Sequence, residues 1–107
     1  MQWECALATP ANAVFLETPS NPTLEIIDLK KISELCRASG ARLIVDNVFA
    51  TQILQHPLNL GADIVMYSAT KHIDGQGRAL GGAILTNDEA FINECLTPFM
   101  RHTGPAM

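Results

Sequence analysis

The chain has 107 residues and a formal net charge of -4, and 48% of its residues are hydrophobic. This length is sufficient for one hydrophobic core, and the composition is that of a globular protein and not of a disordered one. The sequence has no basic run and no alternation of basic and aromatic residues, which argues against nucleic acid as a partner. No apolar stretch reaches the roughly 18 residues of a membrane span, so no membrane segment is expected. The chain begins with neither a basic start nor a long apolar segment, so no signal peptide is expected.

The cysteines and histidines predict neither a disulfide framework nor a metal site. Cys5, Cys36 and Cys95 are odd in number, widely spaced and free of CxxC pairs, which fits a reducing, cytoplasmic location. The histidines at positions 56, 72 and 102 lack the short, defined intervals of a metal-binding set.

Short apolar runs separated by amphipathic stretches predict strands that alternate with helices. Residues 1–8 have the pattern of a helix end, which Pro10 stops. Residues 13–17 form a continuous apolar run that ends in an acid. Such a run predicts a parallel strand buried on both faces. Two prolines then mark residues 18–23 as a loop.

The strongest helix signal covers residues 29–39. Asp28 is a good N-cap, and Gly40 supplies the C-terminal stop. Thr86 has capping-box spacing to the glutamate three residues later, which predicts it as the start of the last helix, and Pro98 is expected to kink or end that helix. The other predicted elements are strands at residues 43–46, 64–67 and 81–85 and a helical turn at 57–60 closed by Gly61.

This alternation predicts an α/β fold, a single domain with a mostly parallel sheet and helices on both faces. Ligands of such sheets bind at the carboxyl ends of the strands. Glu17 ends the first predicted strand and Asp46 ends the second, whereas Ser68, Thr70 and Lys71 follow the third. We therefore expect these polar groups to gather at one edge of the sheet.

A lysine and a carboxylate at such an edge suit a pyridoxal phosphate (PLP) site. The amine of Lys71 can form a Schiff base with the cofactor aldehyde. A carboxylate such as that of Asp46 can keep the pyridine nitrogen protonated, which makes the ring a better electron sink. Ser68 and Thr70 could donate hydrogen bonds to the phosphate, and Asn21 could donate one to the 3-oxygen of the ring.

Each of these residues also has a purely structural interpretation. Asp46 could cap a helix or form an ion pair, and Lys71 could be a solvated surface lysine. The two hydroxyl residues could simply form a turn. Asn21 could belong to a tight turn with a cis bond before Pro22. The glycine-rich residues 74–82 could be only a loop, since their spacing does not match a dinucleotide fingerprint.

Three segments, residues 17–23, 45–47 and 68–71, resemble in order and spacing the Cys/Met-metabolism family of PLP enzymes. The resemblance extends from about residue 13 to residue 101. It implies the large domain of the aspartate-aminotransferase type (fold type I), in which the strand near residues 82–85 runs antiparallel to the others.

The resemblance also implies roles for single residues. Lys71 would be the Schiff-base lysine, and Asp46 would pair with the pyridinium nitrogen. The family's phosphate-contacting hydroxyls, its cofactor-side asparagine and a supporting glutamate would be Ser68, Thr70, Asn21 and Glu17.

Within the family, residues 72–82 are most similar to the O-succinylhomoserine sulfhydrylases. This similarity implies γ-replacement on an O-acylhomoserine, in which sulfide or another thiol displaces the acyl group and Lys71 moves protons at the α and β carbons. Cystathionine γ-synthase, cystathionine γ-lyase and methionine γ-lyase are the alternatives within the family. The resemblance further implies a cytoplasmic transferase of methionine biosynthesis that forms a homotetramer built from dimers.

Members of this family are several times longer than the present chain. The resemblance therefore implies that residues 1–107 are a partial PLP-binding large domain, without the N-terminal arm and the C-terminal small domain. Two interpretations from other classes remain: a catalytically dead folding or interface module that associates through exposed helix faces, and a phosphate-ligand-binding domain without covalent chemistry.

Overall fold

A computed structural model of the chain describes residues 2–104. Met1 of the predicted N-terminal helix and residues 105–107 of the tail lie outside the described residues. Five helices and four strands follow one another, with a 3-10 turn, Pro57–Leu60, before β3 and π-helical segments, Ala69–Ile73 and Ile92–Leu96, after β3 and α4. They are α1 (Gln2–Ala6), β1 (Ala13–Glu17), α2 (Leu29–Ser39), β2 (Arg42–Asp46), α3 (Thr51–Leu54), β3 (Ile64–Ser68), β4 (Gly82–Thr86), α4 (Glu89–Phe91) and α5 (Thr97–Thr103).

The four strands form one sheet in the order β1-β2-β3-β4. β1, β2 and β3 are parallel, as the sequence pattern predicted, whereas β4 pairs antiparallel with β3. The prediction of a fourth parallel strand, based on the alternation of strands and helices, is therefore wrong. The antiparallel strand that the family resemblance implies is confirmed. The physical reason is that residues 69–81 make only a helical turn and a loop, which return to the same edge, whereas a parallel pair needs a crossover to the other end.

The core lies between α2 and one face of the sheet. Asp28 caps α2 by accepting a hydrogen bond from Lys31 N at 3.1 Å, and Gly40 ends it in the left-handed conformation. Both predicted ends of the helix are thus confirmed. Buried side chains from α2 meet those of the strands, namely Leu29, Ile32 and Cys36 against Val14, Leu16, Leu43, Val45, Val65 and Tyr67.

The opposite face of the sheet is covered only in part by residues 2–104. The C-terminal helical segment lies there, because Arg42 of β2 stacks 4.9 Å from the centre of the Phe91 ring and pairs with Asp88 at 3.2 Å. Phe15 of β1, by contrast, is 59% exposed. The prediction that β1 is buried on both faces is therefore wrong for this chain, since an edge strand packs only where another element covers it.

The start of the last helix differs from its predicted start. Asp88 is the N-cap, accepting from Phe91 N at 2.9 Å, whereas Thr86 ends β4 and donates to Asp63 O at 2.8 Å. Capping-box spacing at Thr86 was therefore misleading, because a hydroxyl at a strand end already has a partner across the sheet. Pro98 lies in the first turn of α5, where a missing N–H costs little, and the helix continues to Thr103.

The predicted helical turn before β3 is confirmed, and it depends on Gly61. This glycine closes the turn with φ +96°, and a Cβ added there would lie 2.5 Å from Ser33 Oγ in α2. Only glycine combines this backbone angle with such close packing. The turn thereby lies directly against α2.

Candidate functional site

The carboxyl ends of the three parallel strands carry the polar residues that the sequence predicted there. Glu17 and Asp46 are register neighbours on β1 and β2, and Asp46 is the register neighbour of Met66, two residues before the end of β3. Side chains alternate along a strand, so Glu17, Asp46 and Ser68 share the face opposite α2.

A cleft of about 510 Å³ opens at this edge. That volume lies within the roughly 300–1,000 Å³ typical of small-molecule sites. Four of the six predicted site residues line it, namely Glu17, Asn21, Thr70 and Lys71. The rest of the lining consists of Val48, Phe49, His72 and two loop glycines. Asp46 and Ser68 are not part of this lining and lie at the adjoining strand ends.

Lys71 is exposed in the turn that follows β3. Its backbone leaves helical geometry, with φ -93° and ψ -110°, while its carbonyl accepts a hydrogen bond from Gly75 N at 2.8 Å. Within residues 2–104 the amine forms no ion pair, since the salt bridges there join Arg42 to Asp88 and Arg78 to Asp74. The amine of Lys71 is therefore available to a ligand in the cleft.

The loop after β1 is fixed by Glu17. Its Oε2 accepts a hydrogen bond from the backbone N–H of Asn21 at 2.9 Å. The peptide bonds before Pro19 and Pro22 are both cis. Glu17 thus holds the backbone of Asn21 beside the cleft.

Asp46 has one carboxylate oxygen committed and one free of protein partners. Its Oδ1 accepts from Val48 N at 3.0 Å, and Oδ2 accepts no hydrogen bond from residues 2–104. Within residues 2–104, Asp46 neither caps a helix nor forms a salt bridge.

The two predicted hydroxyl residues have different surroundings. Thr70 Oγ1 accepts from Gly81 N at 3.1 Å and lies 3.4 Å from Gly81 O. Ser68, at the end of β3, has no side-chain hydrogen bond within residues 2–104. Thr70 therefore ties the start of β4 to the turn, whereas the Ser68 hydroxyl is uncommitted.

The loop between the lysine turn and β4 is organised by Asp74. Its Oδ2 accepts from Arg78 N at 2.7 Å and from Gln76 N at 3.3 Å. These backbone donors, Arg78 first, lower the pKa of the Asp74 carboxyl. Gly75 and Gly77, which line the cleft, have φ of +73° and +66°. The loop is thus a defined wall of the cleft, which glycine spacing alone did not predict.

A buried polar network behind the strand ends was missed by the sequence analysis. Asn47 is fully buried, and its Nδ2 lies 2.8 Å from Tyr67 OH and 3.0 Å from the carbonyls of Thr51 and Gln55, so its two hydrogens are shared among three acceptors. Gln55 Nε2 in turn donates to Asn47 Oδ1 at 2.8 Å and to Thr18 O at 3.0 Å. The only signal was that Asn47 follows a buried strand, which turn formers also do.

No group of three His, Cys, Asp or Glu side chains within residues 2–104 could hold a metal ion. Burial raises the pKa of the Cys36 thiol, which keeps it protonated and unreactive. None of the helices from Gln2 to Thr103 has the length and apolar character needed to cross a membrane.

Comparison with known proteins identifies the family. The model of the family described as Cys/Met metabolism PLP-dependent enzyme matches residues 1–107. An O-succinylhomoserine sulfhydrylase of Mycobacterium tuberculosis is 57% identical over 99% of this chain and 26% of its own length. A cystathionine gamma-synthase of Mycobacterium bovis is 45% identical over 83% of this chain and 23% of its own length.

Comparison of the fold with solved structures also finds enzymes of sulfur amino acids. The crystal structure of an apo methionine gamma lyase from Micromonospora echinospora superposes with a TM-score of 0.92 and 39% identity, covering 97% of this chain and 29% of that one. The chain thus spans about a quarter of the length of the curated relatives named above. With the family model matched along its whole length and the fold shared, the chain belongs to the Cys/Met-metabolism family of PLP-dependent enzymes.

Proposed function

We propose that the chain forms the core of the cofactor site in an enzyme that performs γ-replacement on an O-acylhomoserine. The substrate is O-succinylhomoserine and the acceptor is sulfide, which gives homocysteine and succinate. In this reaction the carbon–oxygen bond at the γ carbon breaks, and a carbon–sulfur bond forms. The observation that carries the proposal is the cleft in which the unpaired amine of Lys71 lies with Asn21 and Glu17 at the carboxyl ends of parallel strands.

The residues present fit PLP, which supplies an aldehyde for a lysine amine and a pyridinium ring that accepts electrons from the substrate. The cleft has the size of a small-molecule site, and Lys71 forms one of its walls. Asp46 keeps a carboxylate oxygen free at the next strand end, and Ser68 keeps a free hydroxyl. Thr70 fits less well, because its hydroxyl already bonds to Gly81 N.

Each of these residues has a distinct task in the proposal. Lys71 would hold the cofactor covalently, and its amine, when free, would carry protons between the α and β carbons of the substrate. Asp46 would favour a protonated pyridine nitrogen through charge complementarity. Asn21 would donate to the 3-oxygen, and Glu17 fixes the loop that carries Asn21. Ser68 would donate to the phosphate, with Thr70 as its partner or as an anchor of the turn.

The substrate assignment within the family rests on the sulfhydrylase from Mycobacterium tuberculosis and on the loop at residues 72–82. Its 57% identity to this chain exceeds the 45% of the cystathionine gamma-synthase. The second candidate is a cystathionine or methionine γ-lyase, which the superposition with the methionine gamma lyase favours. The two candidates differ in whether sulfide adds to the γ carbon.

The setting of the site belongs to the same proposal. Residues 1–107 form part of the PLP-binding large domain, and the N-terminal arm and C-terminal small domain lie outside them. The complete enzyme is cytoplasmic and assembles as a homotetramer built from dimers. The short share of each relative that this chain covers supports the first statement.

The lysine assignment is tested by reduction with borohydride in the presence of PLP, followed by peptide mass mapping. We expect the label on the peptide that contains Lys71 and its loss in Lys71→Ala. Lys31→Ala, which removes an exposed lysine of α2, is the matched control and should leave the label unchanged. A label on another residue, or none in the complete protein, would refute the assignment.

The reaction is tested with the complete protein and pairs of substrates. O-succinylhomoserine with sulfide should yield homocysteine faster than O-acetylhomoserine with sulfide, and faster than O-succinylhomoserine with cysteine yields cystathionine. Release of a keto acid from cystathionine or methionine as the fastest reaction would establish the lyase instead. Association of the protein without cofactor binding would favour a catalytically dead interface module.

A further inference from the structure

The buried network of Thr18, Asn47, Gln55 and Tyr67 lies directly behind the candidate site. Thr18 and Asn47 are 1% and 0% exposed, and Tyr67 is 8% exposed. Tyr67 belongs to the core between α2 and the sheet, and Asn47 Nδ2 lies 2.8 Å from its hydroxyl. The network therefore lies on the α2 side, whereas the candidate carboxylates and Ser68, which alternate with the core residues, lie on the other.

Each strand end contributes one residue to the site and its immediate neighbour to the network. The pairs are Glu17 with Thr18, Asp46 with Asn47, and Ser68 with Tyr67. Since the backbone joins the members of each pair, holding the network residue also holds its neighbour in place.

Two side-chain amides connect the three strand ends. Gln55 Nε2 lies 3.0 Å from Thr18 O and 2.8 Å from Asn47 Oδ1, and so links β1 to β2. Asn47 Nδ2 lies 2.8 Å from Tyr67 OH and so links β2 to β3. No buried side-chain nitrogen or oxygen within residues 2–104 lacks a hydrogen-bond partner. Thr18, Asn47 and Tyr67 are buried and Gln55 is half-buried, and a network whose buried polar atoms are all satisfied is rigid.

The turn that carries Gln55 is itself fixed by Asn47. Its Nδ2 also reaches the carbonyls of Thr51 and Gln55, each at 3.0 Å, and Thr51 N donates back to Asn47 O at 2.9 Å. Thr51 has φ +65°, a left-handed conformation that a β-branched residue rarely adopts. Strained backbone of this kind persists only where its surroundings hold it, and it is common beside functional sites.

We propose that Asn47 and Gln55 are positioning residues, which set the spacing of the three strand ends and thereby the orientation of Asp46 toward the cofactor ring. The inference rests on the proposed function, because it requires PLP at this edge. It predicts that breaking the amide link weakens cofactor binding and alters the environment of the ring, without removing any group that touches the cofactor.

The decisive variant is Gln55→Glu in the complete protein. The carboxylate keeps the size of the amide but cannot donate, so it faces the carbonyl of Thr18 without a hydrogen bond. Gln52→Glu is the matched control, because it makes the same change in charge at an exposed position of α3. The side chain of Gln52 has none of the side-chain hydrogen bonds of residues 2–104. Tyr67→Phe is a second, uncharged variant that removes only the hydroxyl bonded to Asn47.

The Kd of PLP is measured by absorbance titration, and the pH midpoint of the absorbance of bound PLP is measured on folded protein. Because these hydrogen bonds form with and without the cofactor, their full free energy sets only an upper limit on the change in affinity. The Kd should rise by at most about thirtyfold for Gln55→Glu, which loses two bonds, and by at most about fivefold for Tyr67→Phe, which loses one. The pH midpoint should shift in both variants and remain constant in Gln52→Glu. A role in folding alone would lower thermal stability and leave the pH midpoint unchanged.

The outcomes separate this inference from the proposed function. If unaltered protein is not labelled at Lys71 by borohydride, the proposed function fails. If it is labelled there but Gln55→Glu binds PLP with the Kd and pH midpoint of Gln52→Glu, the positioning role is overturned. If Gln55→Glu does not fold, Tyr67→Phe decides, and an unchanged Kd and pH midpoint in that variant overturn the inference.

Discussion

Loss of the Thr70 hydroxyl should affect stability, whereas loss of the Ser68 hydroxyl should affect cofactor binding. Thr70→Val keeps the shape of the side chain and removes the acceptor that lies 3.1 Å from Gly81 N. Ser68→Ala removes a hydroxyl that has no hydrogen-bond partner within residues 2–104. Thr70→Val should therefore destabilise the cofactor-free protein, whereas Ser68→Ala should leave its stability unchanged and weaken PLP binding.

The magnitude follows from the contacts of Thr70. A neutral hydrogen bond contributes about 0.5–1.5 kcal/mol net. The second contact of the hydroxyl, 3.4 Å to Gly81 O, is far longer than the usual O–H···O distance and adds little. We therefore expect Thr70→Val to lower the free energy of unfolding by about 1 kcal/mol, which is about a fivefold change in the folded-to-unfolded ratio.

Urea unfolding of the cofactor-free protein measures this free energy, and titration with PLP measures the affinity. Thr70→Ser, which restores the hydroxyl, is the control and should recover most of the lost stability. An unaltered free energy of unfolding in Thr70→Val would refute the role of Thr70 as the anchor of Gly81. Equal stability losses in Thr70→Val and Ser68→Ala would refute the contrast between them.

Two further predictions concern the scaffold. Gly61→Ala should cost about 2–5 kcal/mol of stability, because alanine is strained in the left-handed backbone and its Cβ would lie 2.5 Å from Ser33 Oγ. Gly40→Ala is the control: its Cβ would meet nothing within 4 Å, so it should cost only about 1–2 kcal/mol. Equal costs for the two variants would contradict the packing argument. The backbone donors led by Arg78 should give Asp74 a pKa below its ordinary 3.8, so the loop's contribution to stability is present above that pH and is lost as pH falls through the folded pKa. NMR titration of the carboxyl carbon tests this, and a pKa of 3.8 or higher would contradict it.

Elements with strong local signals could be predicted from the sequence. Asp28 and Gly40 delimit α2 by capping chemistry that involves only nearby residues, and the structure has that helix at the predicted positions. Apolar runs located β2 and β3 to within one residue. Burial could not be predicted as well, because the exposure of Phe15 depends on which elements cover β1 and not on its own sequence.

The candidate site was predictable in outline but not in its connections. Parallel strand ends placed Glu17 and Asp46 together, because the topology follows from the alternation of elements. The partner of Thr70 could not be predicted, since Gly81 reaches it only through the antiparallel return of β4. Gln55 was also missed, because its contact to Thr18 joins residues 37 positions apart in the sequence.

The hydrogen bonds to Gly81 hold together the two ends of the segment between Lys71 and β4, so this segment can vary in sequence and length. Gly81 O accepts from Ala69 N at 2.8 Å and from Thr70 N at 3.3 Å, so the segment begins and ends at one fixed point. For a flexible loop closed in this way, doubling the length costs only about 0.6 kcal/mol. Insertions or replacements there can therefore reshape one wall of the cleft while the sheet and the lysine remain in place, which is a route by which one scaffold can acquire several reactions.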